Sequence, residues 1–375
     1  MKSILMAGLL MPGMVLPVLA QSSVRISGEL DAGIQSYKVA TGGTINRLQN
    51  GAFAASRLIF SGTEDIGGGL SANFMLELAP TVDTGETSRF GFFNRNSWVG
   101  LSDQKLGEVR LGRYLTTSAT LLCQVDLHWC GSGFNGTGIM YNGDVATVGR
   151  WVSGSPGRGG NNNEGISVFS GGNGTAGSAE SNRKNNSIQY LSPRISGVQA
   201  KLMVAMGEQR SGAANGSGDH AGGTVSYTSD NLFVAVGYEQ TRPDPLWNAE
   251  GKLGSVGGTY KFGDLIVGAI AQYETASGPA ARWTRAKDWA ITSAYRMGVF
   301  EPYLKFGQHR TNGVGAYGIV NGTDATVVNF GSLYKLSKRT ALYADFVTDL
   351  RGSNGLPATN RQDPRQITVG MRHVF

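Results

Sequence analysis

The sequence is short of what a soluble enzyme or a helical membrane protein is built from. Beyond residue 20, no stretch approaches the roughly twenty apolar residues of a membrane-spanning helix, so helical anchoring of the body of the chain is excluded. Charged residues make up only 16% of the 375, well under the usual share of about a quarter. With 33 Lys and Arg against 27 Asp and Glu, the net charge is +6, too weak and too dispersed for a nucleic-acid-binding surface. The four histidines, His128, His220, His309 and His373, are scattered without metal-ligand spacing, so no metal and no cofactor are expected. Proline is scarce at 11. There are two cysteines, Cys123 and Cys130, in one loop region. In an exported chain they point to a local disulfide of modest stabilising effect; free thiols or a metal are the alternatives, and only His128 lies between them.

Glycine is what the chain has in excess, at 56 residues. Without a collagen period and with little proline, that suits many turns and tightly curved strands. The hydrophobic share of 40% is too low for helical spans and suits strands with one oily and one wet face. Residues 1–20 read as a secretory signal. Lys2 precedes a short apolar core, and Val18-Leu19-Ala20 offers a cleavage site before Gln21. An N-terminal anchor is the weaker reading, because Pro12 and Pro17 interrupt a run that barely spans. At the other end, Ile367, Val369, Met371 and Phe375 share one face of a strand, while Thr368, Gly370 and Arg372 share the other. A closed membrane barrel needs such a strand to pair with its first.

Residues 21–375 then form one domain of period-two segments about as long as a tilted membrane strand. The first is Val24–Ile34, with Arg25, Ser27, Glu29 and Asp31 on one face and Val24, Ile26, Leu30, Ala32 and Ile34 on the other. Others follow at about 55–62, 69–79, 95–102 and 107–114. A Gly-, Asn- and Ser-rich break at about 115–184 is long enough to be functional. Alternation resumes at about 185–192, 197–207, 222–229, 231–241, 253–262, 264–275, 287–296, 299–310, 325–334, 340–350 and 364–375. The total is sixteen strands, with short and long connections in alternation, as in outer-membrane barrels. Tyr190, Tyr227, Tyr260, Tyr295 and Tyr334 recur near the short turns, and Trp98 lies near a strand end, as in interfacial girdles.

Several motifs in this order carry a family likeness. They are Ser61-Gly62-Thr63-Glu64-Asp65-Ile66-Gly67-Gly68-Gly69-Leu70, Trp98-Val99-Gly100-Leu101 with Leu106-Gly107-Glu108-Val109-Arg110-Leu111-Gly112-Arg113, and Asn185-Asn186-Ser187-Ile188-Gln189-Tyr190 with Ser192-Pro193. The ending Gly370-Met371-Arg372-His373-Val374-Phe375 completes the set. The chain resembles the trimeric general porins of Gram-negative bacteria over its whole mature length. That resemblance implies an all-β, 16-stranded antiparallel transmembrane β-barrel in the cell outer membrane, with the long third loop folded into the lumen. It also implies a homotrimer that contacts outer-membrane lipid and lipopolysaccharide and passes ions and small hydrophilic solutes. Assembly machinery would read the C-terminal strand and Phe375, and acidic residues on the third loop would face arginines on the opposite wall. The length of this loop and its Cys123/Cys130 pair depart from the family pattern.

Alternation points Arg57 and Arg110 into the lumen, where charge sets ion preference. Arg113 closes its strand at the loop mouth. Arg95 shares parity with outward Val99 and Leu101 and joins the constriction on resemblance. Lys201, Lys305, Tyr303 and Asp345 lie between lipid-type neighbours and should line the pore; a Lys facing lipid at mid-membrane costs about 2–4 kcal/mol. Asp126, in the apolar stretch Leu121–Cys130, is the leading acidic constriction residue, ahead of Asp144 and Glu164. Two glycine strings, at 131–136 and 172–177, match a dinucleotide fingerprint by spacing but lack its strand and helix. The function expected is a weakly anion-preferring diffusion channel with no catalytic residues. A substrate-selective porin is the alternative, and an outer-membrane barrel enzyme the less favoured one.

Overall fold

The structure is a computed structural model. It describes residues 23–38, 44–51, 53–87, 92–127, 183–207, 219–242, 250–277, 285–312, 325–350 and 365–375. The signal segment, Cys130, Asp144, Glu164 and both glycine strings lie outside the described residues.

The strands are β1 (Ser23–Lys38), β2 (Thr44–Asn50), β3 (Arg57–Gly67), β4 (Leu70–Leu78), β5 (Ser97–Asp103) and β6 (Gly107–Leu115). A helix, α1 (Thr117–Val125), follows. Then come β7 (Arg183–Leu191), β8 (Val198–Ala205), β9 (His220–Thr228), β10 (Leu232–Thr241), β11 (Glu250–Phe262) and β12 (Leu265–Ser277). The last are β13 (Arg285–Tyr295), β14 (Phe300–Asn312), β15 (Ala325–Lys335), β16 (Thr340–Asp349) and β17 (Arg365–Val374). Neighbours pair antiparallel around a single closed sheet.

Among the described residues, seventeen strands make sixteen ribbons, because β2 and β3 lie end to end along β1. Lys38 faces Thr44 at one end of that pairing and Ser23 faces Thr63 at the other. The sequence reading began this ribbon at about 55 and missed β2. Its outward positions are Thr44, Asn46 and Leu48, so one apolar residue in three left no alternation to see.

The faces are inverted relative to a soluble protein. On β1, Val24, Ile26 and Ile34 are 73%, 61% and 69% exposed, whereas Glu29, Asp31 and Gln35 are 3%, 0% and 0%. Leu304 is half exposed beside fully buried Lys305, and Val369 is exposed beside buried Thr368. Such a continuous oily exterior demands lipid around it. Tyr227, Tyr260, Tyr295 and Tyr334 stand on this outer surface near the short turns, and the Tyr190 hydroxyl donates to the Leu106 carbonyl at 2.8 Å. Trp98 does not join them. It pairs with Met75 on the inner face, because inward Asn73 and outward Val99 fix the parity of β5.

β1 and β17 close the barrel, in register from Glu29 opposite Val374 to Tyr37 opposite Gln366. Phe375 extends the seam through two backbone hydrogen bonds with Gly28, of 3.0 and 3.1 Å. Its ring lies over Gly28, where a Cβ would come within 2.6 Å of the Phe375 Cζ.

Candidate functional site

Helix α1 packs against inward-facing residues of the barrel wall. Thr116 caps the helix, its side chain accepting from the Ala119 amide at 3.3 Å. Thr117, Ala119, Leu121, Leu122 and Val125 are buried, and the three larger side chains meet Ala235, Ile270 and Ala290 on the inner faces of β10, β12 and β13. Each buried Leu or Val contributes about 1.5–3 kcal/mol. The Glu239 carboxylate on β10 accepts from the Ser118 amide at 2.6 Å and the Thr117 hydroxyl at 3.0 Å. It thus sits at the positive end of the helix. Gly268 on β12 leaves room for the other end; a Cβ there would lie 2.6 Å from the Val125 carbonyl and from the Thr292 hydroxyl. Thr292 donates to that carbonyl at 3.2 Å. Cys123, within α1, is disulfide-bonded; the only other cysteine in the sequence is Cys130.

Asp126 ends the helix, and its carboxylate meets the Lys305 ammonium at 2.6 Å, both side chains 1% exposed. The acid expected to face the pore is a fastener between the folded-in loop and β14. Lys305 points inward, as alternation requires, but α1 covers it. Tyr303 and Asp345 are also inward and covered. Tyr303 donates to Asp345, Asn329 donates to the same carboxylate oxygen at 2.7 Å, and Tyr303 packs in an apolar cluster with Phe53, Ala54, Leu333 and Tyr343. These three side chains line the barrel wall without lining a water path.

The other expected residues stand on the opposite wall. Arg57 on β3 and Arg372 on β17 both reach Glu29, the first at 3.1 Å. Arg95 is not in a strand. It precedes β5, where Glu77 and Asn96 pair backbone to backbone, and this irregularity turns its guanidinium onto Glu77 at 2.7 Å. Asn96 also donates to Glu77, and Arg183 and Arg57 lie within the field of that carboxylate. Arg110 on β6 pairs with Glu108 at 2.7 Å and lies over the Trp98 ring at 4.4 Å and the Tyr114 ring at 5.0 Å. Arg113 follows Gly112 at a bulge and donates to the Asn94 carbonyl at 2.7 Å and to Asn185 at 2.5 Å. Lys201 on β8 faces inward opposite buried Thr224, within the field of Arg110 and Arg194. The side chains of Arg57, Arg95, Arg110 and Arg372 keep 15–20% of their surface open, against 1% for Lys305.

Sequence reasoning missed Glu77, Glu239, Arg183, Arg372 and Phe53 as site residues. Parity alone finds Glu239, between outward Tyr238 and Gln240, and Arg372, on the polar face of β17. Arg183 fell in the margin of the long loop. Nothing in the sequence marks Phe53 as inward, since it lies between strands.

A family model of Gram-negative porins matches residues 13–354. The chain belongs to the Gram-negative porins. Outer membrane porin protein 32 of Delftia acidovorans is 29% identical over 377 residues, 95% of each chain. The major outer membrane protein P.IB of Neisseria gonorrhoeae is 26% identical, covering 96% of this chain and 97% of that one. Among solved structures, an anion-selective porin from Comamonas acidovorans superposes with a TM-score of 0.72 at 26% identity, covering 95% of this porin and all of the other. This porin is therefore a protein of the outer membrane, and its sixteen ribbons are the porin barrel.

Proposed function

We propose that this porin is a passive, weakly anion-preferring channel for ions and small hydrophilic solutes, and not an enzyme. The observation that carries the reading is the row of bases on the open wall. Arg57, Arg95, Arg110 and Arg372 keep 15–20% of their side-chain surface open, and buried Arg183 lies in the field of Glu77 beside them. Low-dielectric walls focus such a field on anything that passes. The loop acid Asp126 is neutralised by Lys305 and does not oppose it. The anion selectivity named for the Comamonas acidovorans structure agrees.

A homotrimer embedded in lipid and lipopolysaccharide, delivered by machinery that reads the Phe375 strand, goes with this reading; a Vibrio cholerae structure of the same fold is described as a trimer. A substrate-selective porin is the second reading. It draws on Arg110 held between Trp98 and Tyr114, a guanidinium whose aromatic flanks would favour one solute class. The test is the reversal potential of the refolded protein in a salt gradient across a planar bilayer, followed by a panel of solutes. Anion preference with uptake graded only by size supports the general channel. A clear cation preference overturns the charge reading, and saturable block by one solute class favours the selective one.

A further inference from the structure

At the long-loop ends of β11 to β14 the outer face of the barrel turns from apolar to basic. Two neighbouring rows of the sheet carry the change. One runs Tyr238 on β10, Gly254 on β11, Tyr273 on β12, Lys287 on β13 and Arg310 on β14. The next runs Gln240, Lys252, Thr275 and Arg285 across β10 to β13. The four bases are exposed. Parity turns them outward, since Ser255, Asp288 and Lys305 on the alternate positions of the same strands are buried. On β9 the two rows continue with Gly223 and Ala221, without charge. Few acids answer these bases. Lys252 meets Glu250 at 3.3 Å, and Arg310 donates to neutral Gln308 at 3.4 Å. Among the described residues, no carboxylate pairs with Arg285, Lys287 or Arg310. Toward the short turns the same face presents Trp289 and Phe306, with ring centroids 5.3 Å apart, and Ile291.

Height decides what meets this surface. Ten residues of strand separate Phe262 from Lys252, and ten separate Tyr295 from Arg285. At about 3.3 Å per residue and a tilt of about 40°, that is a rise of about 25 Å, the height of the apolar band of an outer-membrane barrel. Phe262 and Tyr295 stand at the lower edge of the band, so the bases stand at its upper edge, on the extracellular side where the long loops are. Tyr238 and Tyr273 in the same row mark that interface. Between them Gly254 leaves a notch, with nothing within 4 Å of where a Cβ would lie.

We propose that Lys252, Arg285, Lys287 and Arg310, above Trp289, Ile291 and Phe306, form a binding site for a phosphate-bearing lipid of the outer leaflet, lipopolysaccharide. Its phosphates pair with the bases, and its acyl chains lie on the aromatic and aliphatic side chains below. Charge complementarity carries the assignment. A guanidinium takes phosphate oxygens two at a time, and bases at a membrane surface draw anionic headgroups. Chains alone would fit along the whole oily exterior. Here both halves of the lipid find partners at their own depths.

The inference rests on the lipopolysaccharide setting proposed above and not on the ion preference, because the site lies outside the barrel. The test mixes the refolded porin in detergent with lipopolysaccharide and counts the lipid retained per barrel by native mass spectrometry. Arg285→Glu with Lys287→Glu and Arg310→Glu changes exposed side chains only, so heat-modifiable mobility should show a folded barrel. Its affinity for the lipid should fall about a hundredfold, from three bases at the usual contribution of each near an anionic surface. Lys105→Glu with Lys338→Glu, exposed in the short turns, should bind as the wild type does. Lipopolysaccharide stripped of its phosphates should bind the wild type as weakly as the intact lipid binds the triple variant. Inorganic phosphate in large excess should leave the lipid in place, because it offers no chains to Trp289 and Phe306; displacement would overturn the lipid assignment. Equal retention by the wild type and the folded triple variant, or equal binding of the stripped lipid, overturns the site. A wild-type porin that retains no lipopolysaccharide overturns the setting as well.

Discussion

Replacing Lys305 by Met tests how the third loop is held. Lys305 and Asp126 form a contact sealed from water on both sides. Removing one member of a buried pair leaves an uncompensated charge and costs about 3–5 kcal/mol. The remaining attachment of α1 is larger: Leu121, Leu122 and Val125 at about 1.5–3 kcal/mol each, plus the Glu239 contact at its start. The helix should therefore stay docked while its last turn, where the Asp126 amide donates to the Leu122 carbonyl at 2.9 Å, opens far more often. At about 1.4 kcal/mol per tenfold, the loss corresponds to amide exchange in that turn faster by roughly two to three and a half powers of ten. Hydrogen–deuterium exchange in detergent measures this directly, and added open-channel noise in a bilayer should accompany it. Lys305→Met combined with Asp126→Leu replaces the pair by apolar groups of similar volume and should recover most of the loss. Exchange unchanged in the single variant, or faster still in the double, would refute the view that the pair is a fastener.

Arg57→Glu with Arg110→Glu should move the reversal potential toward cations, and no shift would mean that those side chains do not border the narrow section. Gly268→Ala puts a Cβ 2.6 Å from the Val125 carbonyl and should loosen α1 by about 1–3 kcal/mol, read as faster exchange confined to its last turn; wild-type exchange would show that the glycine is not required. Deleting Phe375 removes two hydrogen bonds across the β1–β17 seam and the ring over Gly28, so the barrel should unfold at lower temperature and refold in lower yield. Unaltered heat resistance would show that the seam is held by β17 alone.

Much of the barrel was legible because lipid outside and water inside impose a strict period of two. Arg57, Arg110, Lys201, Tyr303, Lys305 and Asp345 all point inward as their neighbours demanded. Parity tells which face a residue takes and is silent on what covers that face. Lys305 and Arg110 carry the same signature, a base between two apolar residues, yet one is sealed beneath a helix and the other reaches water. The misplacements have the same origin. Asp126 sits where a loop meets the wall, and β2 is too polar on its outer face to show a period; Arg95, whose parity alone pointed outward, is turned inward by an irregular approach to β5. Trp98 was assigned to the membrane interface by residue type, whereas its parity puts it inside, beneath Arg110.

The acids and bases of the inner surface have divided their tasks. Glu239 receives the start of α1, Asp126 secures its end, and Asp31 holds the Phe53 segment. Carboxylates suit this work, since a carboxylate can accept several donors at once, as Asp31 does from two backbone amides and a hydroxyl, and backbone donors are what an inward loop leaves unmet. Guanidiniums only donate, so they cannot take that place. Arg57, Arg95 and Arg372 remain on the wall that α1 leaves uncovered, beside Glu29 and Glu77. Altering a fastening acid should change the width and steadiness of the opening, and altering an open guanidinium should change the sign of what prefers it.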